Sequence, residues 1–153
     1  MRLLRLPFIF TVALTALLGT LASPASAVER TCWGATGNFN ADPVLLVDWK
    51  RNASECFGIA PSGSIWHTWD GAGKWYEMPG NGSGESLVGG YDVFSSNDLT
   101  TWVGKAVKVS TTTHNDYCIY LDYATNTWGG WYAVSSNSSC AVHAVPAVTY
   151  DVW

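Results

Sequence analysis

Nowhere beyond residue 27 do apolar residues recur at i, i+3, i+4 and i+7 over the length a helix needs. Short aromatic and β-branched runs take their place, each cut after a few residues by Gly, Asp, Asn, Ser or Pro. Such runs, at roughly ten-residue spacing, read as the strands of an antiparallel sandwich or barrel. The expectation is an all-β chain, an antiparallel meander folded into a small sandwich or barrel.

Residues 64–79 show the pattern best. Runs at 65–69 and 75–78 flank Asp70-Gly71-Ala72-Gly73, which reads as a hairpin. Alternate strand side chains share a face, so Ile65, His67 and Trp69 fall on one side and Trp66 and Thr68 on the other. Strands at 44–49 and 56–60 complete a four-stranded meander over 44–79. Segments 31–43 and 81–90, rich in Gly, Asn and Ser, read as irregular. A hairpin of 91–94 and 99–103 follows, then strands at 106–109, 117–123, 127–134 (broken by Gly129-Gly130), 141–145 and 147–153. A weak internal repeat links Ile65-Trp66-x-Thr68-Trp69 and Trp75-Tyr76-x-Met78 to Ile119-Tyr120-x-Asp122-Tyr123 and Trp131-Tyr132-x-Val134.

Arg2 and Arg5, the apolar run over 7–21 and Ala25-Ser26-Ala27 have the form of a secretory signal peptide spanning 1–27. That leaves 28–153 as a single all-β domain placed outside the cell. No later stretch approaches the roughly 20 apolar residues of a membrane span. Twelve acids outnumber eight bases, for a formal net charge of −4. Loss of Arg2 and Arg5 makes the domain more acidic still, so it repels a phosphate backbone and nucleic acid is not an expected partner. The four cysteines, Cys32, Cys56, Cys118 and Cys140, are even in number and suit an oxidising compartment, which predicts two disulfides. Three connectivities exist; proximity in sequence favours Cys32–Cys56 and Cys118–Cys140. There is no C-x-x-C pair and no tight Cys/His cluster. Asn38-x-Asn40-x-Asp42 has Pro43 and Trp49 where a calcium loop needs Gly and Glu, so neither metal nor cofactor is expected. Sequons begin at Asn52, Asn81 and Asn137.

Nine tryptophans are more than a small β-core hides, because Trp is rarely fully buried. Exposed rings beside Asn, Asp and Thr suit the apolar face and hydroxyls of a sugar. The hairpin supplies the candidates Trp66, His67, Trp69, Asp70 and Trp75, and the repeat supplies Trp128 and Trp131. Trp69 and Trp75 flank the turn and come within cross-strand reach as one platform with Asp70 at its rim; the alternative sinks both in the core. His114 and His143 stand alone. With no H-E-x-x-H, no G-x-S-x-G and no spacing that selects two acids, no catalytic residue is assigned.

The run from Phe57-Gly58-Ile59-Ala60 through Ser62-Gly63-Ser64, Ile65-Trp66-His67-Thr68-Trp69-Asp70-Gly71 and Trp75-Tyr76-Glu77-Met78-Pro79-Gly80 resembles one blade of the tectonin-like β-propeller lectins. Tyr91-Asp92-Val93-Phe94-Ser95-Ser96 and Asn97-Asp98-Leu99-Thr100-Thr101-Trp102 look like the middle of a second blade. The resemblance implies carbohydrate binding at Trp66, His67, Trp69 and Trp75. It also implies an alternative architecture, propeller-like blades completed by oligomerisation. The leading expectation is a secreted lectin-like module with a glycan partner. Its rivals are a secreted domain that binds an extracellular protein or inhibits an enzyme and, third, a small extracellular hydrolase.

Overall fold

The structure, a computed structural model, describes residues 26–136 and 143–153. The expected leader up to residue 25, Cys140 and the sequon at Asn137 lie outside the described residues.

Within them the strands are β1 (Val28–Cys32), β2 (Ala35–Phe39), β3 (Val44–Asp48), β4 (Glu55–Ile59), β5 (Ile65–Trp69) and β6 (Tyr76–Glu77). They continue with β7 (Ser86–Ser95), β8 (Asp98–Ser110), β9 (Asp116–Asp122), β10 (Thr127–Ala133), β11 (Ala144–Pro146) and β12 (Val148–Val152). One five-stranded sheet has the order β12-β3-β4-β5-β6 and the other β10-β9-β8-β7-β11; β1 and β2 form a separate hairpin. The ladders are antiparallel. Among the described residues no sheet closes into a barrel, and the fold is a sandwich-like meander. Its two sheets meet face to face. The repeat has a structural counterpart: β5–β6 and β9–β10 are the penultimate and edge strands of their respective sheets.

The core lies between the sheets. Val47, Phe57, Ile59 and Ile65 of one sheet pack with Val107, Val109 and Ile119 of the other. A second cluster fills the outer face of the first sheet, where Ala35 and Phe39 of the hairpin cover Val44, Cys56 and Trp75. The Cys32–Cys56 disulfide, with Cα atoms 6.5 Å apart, ties this hairpin to β4 as expected. Cys118 is buried in a third cluster with Val93 and Ala106; the pairing expected for it involves Cys140, beyond the described residues.

Three expectations are corrected. Segment 31–43 is largely the β1–β2 hairpin: Cys32, Ala35 and Phe39 supply its buried face, and Trp33 (φ 52°) with Gly34 (φ 76°) makes the left-handed two-residue turn that suits a hairpin. Polar residues on its outer side hide that alternation. Segment 81–90 is not all loop, because β7 begins at Ser86. Gly90 belongs to that strand and lets it approach the first sheet, since a Cβ there would overlap Val47 and Trp49. Finally, 99–103 and 106–109 are one strand, β8, continuous through Gly104 and Lys105. Lys105 interrupts the apolar pattern and yet is buried, for a reason found on the facing sheet.

Candidate functional site: a cleft at the polar end of the sandwich

Along β4, Glu55, Phe57 and Ile59 share one face. So do Ile65, His67 and Trp69 on β5, and Lys105, Val107 and Val109 on β8. The registers Glu55↔Trp69, Ile59↔Ile65 and Lys105↔Leu121 set these rows side by side. One end of the interior is therefore aliphatic, with Ile59, Ile65 and Val109. The other carries Glu55, His67 and Lys105, which are only 8%, 8% and 2% exposed.

The polar end opens as a cleft of about 420 Å³. Trp69 and Trp128 line it, Asn52 and Asn126 stand among its polar lining, and Leu121 adds an apolar patch. Trp69 is stacked on Tyr76, with ring centroids 5.2 Å apart and planes 18° apart. His67 lies flat on Phe57 at 5.9 Å and stands edge-on to Trp128 at 6.1 Å. Lys105 donates to Glu55 Oε1 at 2.5 Å. Its ammonium also faces the Trp49 ring at 5.3 Å and the Trp128 ring at 5.4 Å.

Glu55 Oε2 and His67 Nδ1 are buried without a protein hydrogen-bond partner. They stand 4.0 Å apart, an ion-pair separation too long for a hydrogen bond. Trp49 Nε1, Asp92 Oδ2 and Tyr123 Oη are likewise unpaired. Burial pushes the Glu55 carboxyl up, but His67 and Lys105 together outweigh it and hold it below its ordinary range. At Asp92 burial wins and raises the carboxyl above its ordinary value, against the Lys50 amide that donates to its Oδ1 at 3.0 Å and the Lys105 charge. Burial and the Asp92 and Glu55 charges also raise Tyr123, which stays a neutral phenol.

Known proteins offer no guide here. No family model matches the chain, and no curated protein or solved structure does either.

The sequence-derived candidates divide among four places. His67, Trp69 and Trp128 meet in the cleft. Asp70 is exposed at the turn and does not line it. Trp131 lies toward the aliphatic end, its indole donating to the Pro79 carbonyl at 3.0 Å beside a cleft of about 310 Å³. Trp66 and Trp75 are on the outer face of the sheet. Trp75 is buried there, donating to the Ala35 carbonyl at 3.0 Å and meeting Phe39 at 4.5 Å. The expected Trp69–Trp75 platform therefore does not form: β5 pairs with β6 through His67↔Tyr76, which brings Tyr76 under Trp69.

Glu55, Lys105 and Asn126 were not among those candidates. The signal for the first two was present: each is a charge in phase with buried apolar residues on its own strand, and their signs are opposite. Among the described residues no group of three or more His, Cys, Asp or Glu side chains could hold a metal. Glu55 is the one carboxylate lining the cleft, and it is tied to a lysine. Glycoside hydrolysis commonly uses two carboxyls about 5–10 Å apart; among the described residues that line this cleft Glu55 is the carboxylate.

Proposed function

We propose that this chain is an extracellular carbohydrate-binding module that holds a sugar in the cleft beside Trp69 and Trp128. One observation carries the reading: buried Glu55 Oε2 and His67 Nδ1 lack protein partners and sit where two aromatic rings line an open cleft. A sugar needs both halves of that arrangement, a ring for its C–H face and fixed polar atoms for its hydroxyls. The leader pattern at 1–27 and the Cys32–Cys56 disulfide are compatible with work outside the cell.

A glycan array probed with the purified chain tests this. Sugar-inhibitable hits that vanish in Trp69→Ala and persist in Trp66→Ala are expected. Hits that survive Trp69→Ala, in a protein that melts as the wild type does, would remove the cleft from consideration.

A second reading, a protein-binding domain or enzyme inhibitor, draws on the edge strand β12. There Val148 and Tyr150 are about half exposed and the following Trp153 is 76% exposed, and interfaces enrich such rings. An empty array together with a stable complex with an extracellular enzyme, lost in Tyr150→Ala, would favour it.

A further inference from the structure

Resting on the carbohydrate reading, we infer that the cleft takes a neutral, hydroxyl-rich sugar and turns away uronate and sulfated ones, with one hydroxyl bridging Glu55 Oε2 and His67 Nδ1. The 4.0 Å between those atoms is too long for a direct bond, and it is a span that one oxygen about 2.8 Å from each can bridge once a neighbouring side chain gives way, since both atoms are buried. The hydroxyl would donate its proton to the carboxylate and accept one from His67 Nδ1–H. A carboxylate or sulfate at that bridging position has no proton to give Glu55 at neutral pH.

Charge points the same way. Glu55 is ionised, being held below the ordinary carboxylate range. Two lining groups can carry positive charge: His67, which faces Glu55 Oε2 at 4.0 Å, and Lys105, which is not free to attract an acid. Lys105 is 2% exposed, engaged with Glu55 Oε1, and faces the Trp49 and Trp128 rings. Asp92, its cross-strand neighbour on β7, adds no positive charge. The remaining lining, including Asn52, Asn126 and Leu121, is neutral. An anion placed against Glu55 would meet like charge where little water is left to screen it.

The test is calorimetric titration with matched pairs: galactose and galacturonate oligomers of one length and linkage, and glucose and glucuronate oligomers likewise. The net charge of −4 also disfavours anions at long range, so each pair is measured at 0.1 M and at 1 M NaCl. The Debye length shrinks to about 3 Å at the higher salt. In a pair that binds, the neutral member should win by about tenfold or more, and the gap should persist at 1 M. Glu55→Gln should weaken the neutral member and narrow the gap; the wild-type salt comparison decides alone if that variant does not fold. An acidic member that binds as well as its neutral twin, or a gap that disappears at 1 M salt, overturns the inference while leaving the carbohydrate reading standing. Failure of every pair, with an empty glycan array, overturns that reading and this inference with it.

Discussion

At one end of the sandwich Ile59, Ile65 and Val109 fill the space between the sheets; at the other, Glu55, His67 and Lys105 occupy the same kind of inward position. The same β-strands serve both ends, so strand geometry does not account for the difference. The aliphatic end does what a core does: each fully buried aliphatic side chain contributes about 1.5–3 kcal/mol. The polar end contributes little to stability. A buried ion pair is often no more stabilising than apolar residues of the same volume. Around this one Trp49 Nε1, Glu55 Oε2, His67 Nδ1, Asp92 Oδ2 and Tyr123 Oη are left without protein partners. Unpaired buried polar atoms cost about 1–3 kcal/mol each when nothing satisfies them. Two of these atoms, Glu55 Oε2 and His67 Nδ1, belong to residues that line the cleft, where a ligand could satisfy them.

The comparison breaks most easily at Lys105. Lys105→Ala should cost about 3–5 kcal/mol in urea unfolding, because it strands a buried carboxylate. If the polar end is kept for a ligand, Glu55→Met with Lys105→Met should recover that loss and still bind no sugar. A double variant as unstable as the single one would mean that the ion pair holds the fold.

Ile119→Ala, at the apolar heart, should cost about 2–5 kcal/mol through a cavity while leaving sugar affinity within twofold or so at temperatures where it stays folded. Loss of affinity in a still-folded variant would show that the two ends are not separable. Replacing Cys32 and Cys56 by Ala should cost about 3 kcal/mol on a chain-entropy model of a crosslink 24 residues apart. It loosens the outer hairpin, which lies on the far side of the sheet from the cleft, so binding should again survive.

The smallest effect is a pH dependence. Glu55 titrates below its unfolded value, so its contribution is fully present above the ordinary carboxylate range and is lost as pH falls through its folded pKa. Asp92, raised by burial, has the opposite sign: it favours the fold at acid pH and costs stability as pH rises through the carboxylate range. The two oppose each other in wild type, so the difference between proteins carries the prediction: from pH 7 down, the Glu55→Met, Lys105→Met double variant should lose less stability than wild type, because it lacks the Glu55 contribution. Identical acid limbs in both would remove Glu55 from the account.

Much of this was legible in the residues. Short apolar and aromatic runs bounded by turn residues predicted the β3–β6 meander, and alternation along 65–69 predicted the shared face of Ile65, His67 and Trp69. The β1–β2 hairpin was not, because its outward side is polar and its turn is the unexpected pair Trp33-Gly34. The site was half legible. Aromatic residues announced His67, Trp69 and Trp128. The longer connection from Asp70 to Trp75 carried Trp75 over to the outer face, which no alternation rule reports. Glu55 and Lys105 were hidden by the habit of reading charge as surface; only the juxtaposition of β4 and β8 on opposing sheets turns two isolated charges into a pair.

The most direct test watches all the indoles at once. In a ¹⁵N NMR titration with a neutral glycan that the array selects, the indole N–H signals of Trp69 and Trp128 should shift, along with the His67 ring. Those of Trp75 and Trp131, hydrogen-bonded to the Ala35 and Pro79 carbonyls, should stay in place. Shifts centred on Trp131 or Trp66, with the Trp69 and Trp128 signals still, would contradict the assignment of the polar end as the binding site.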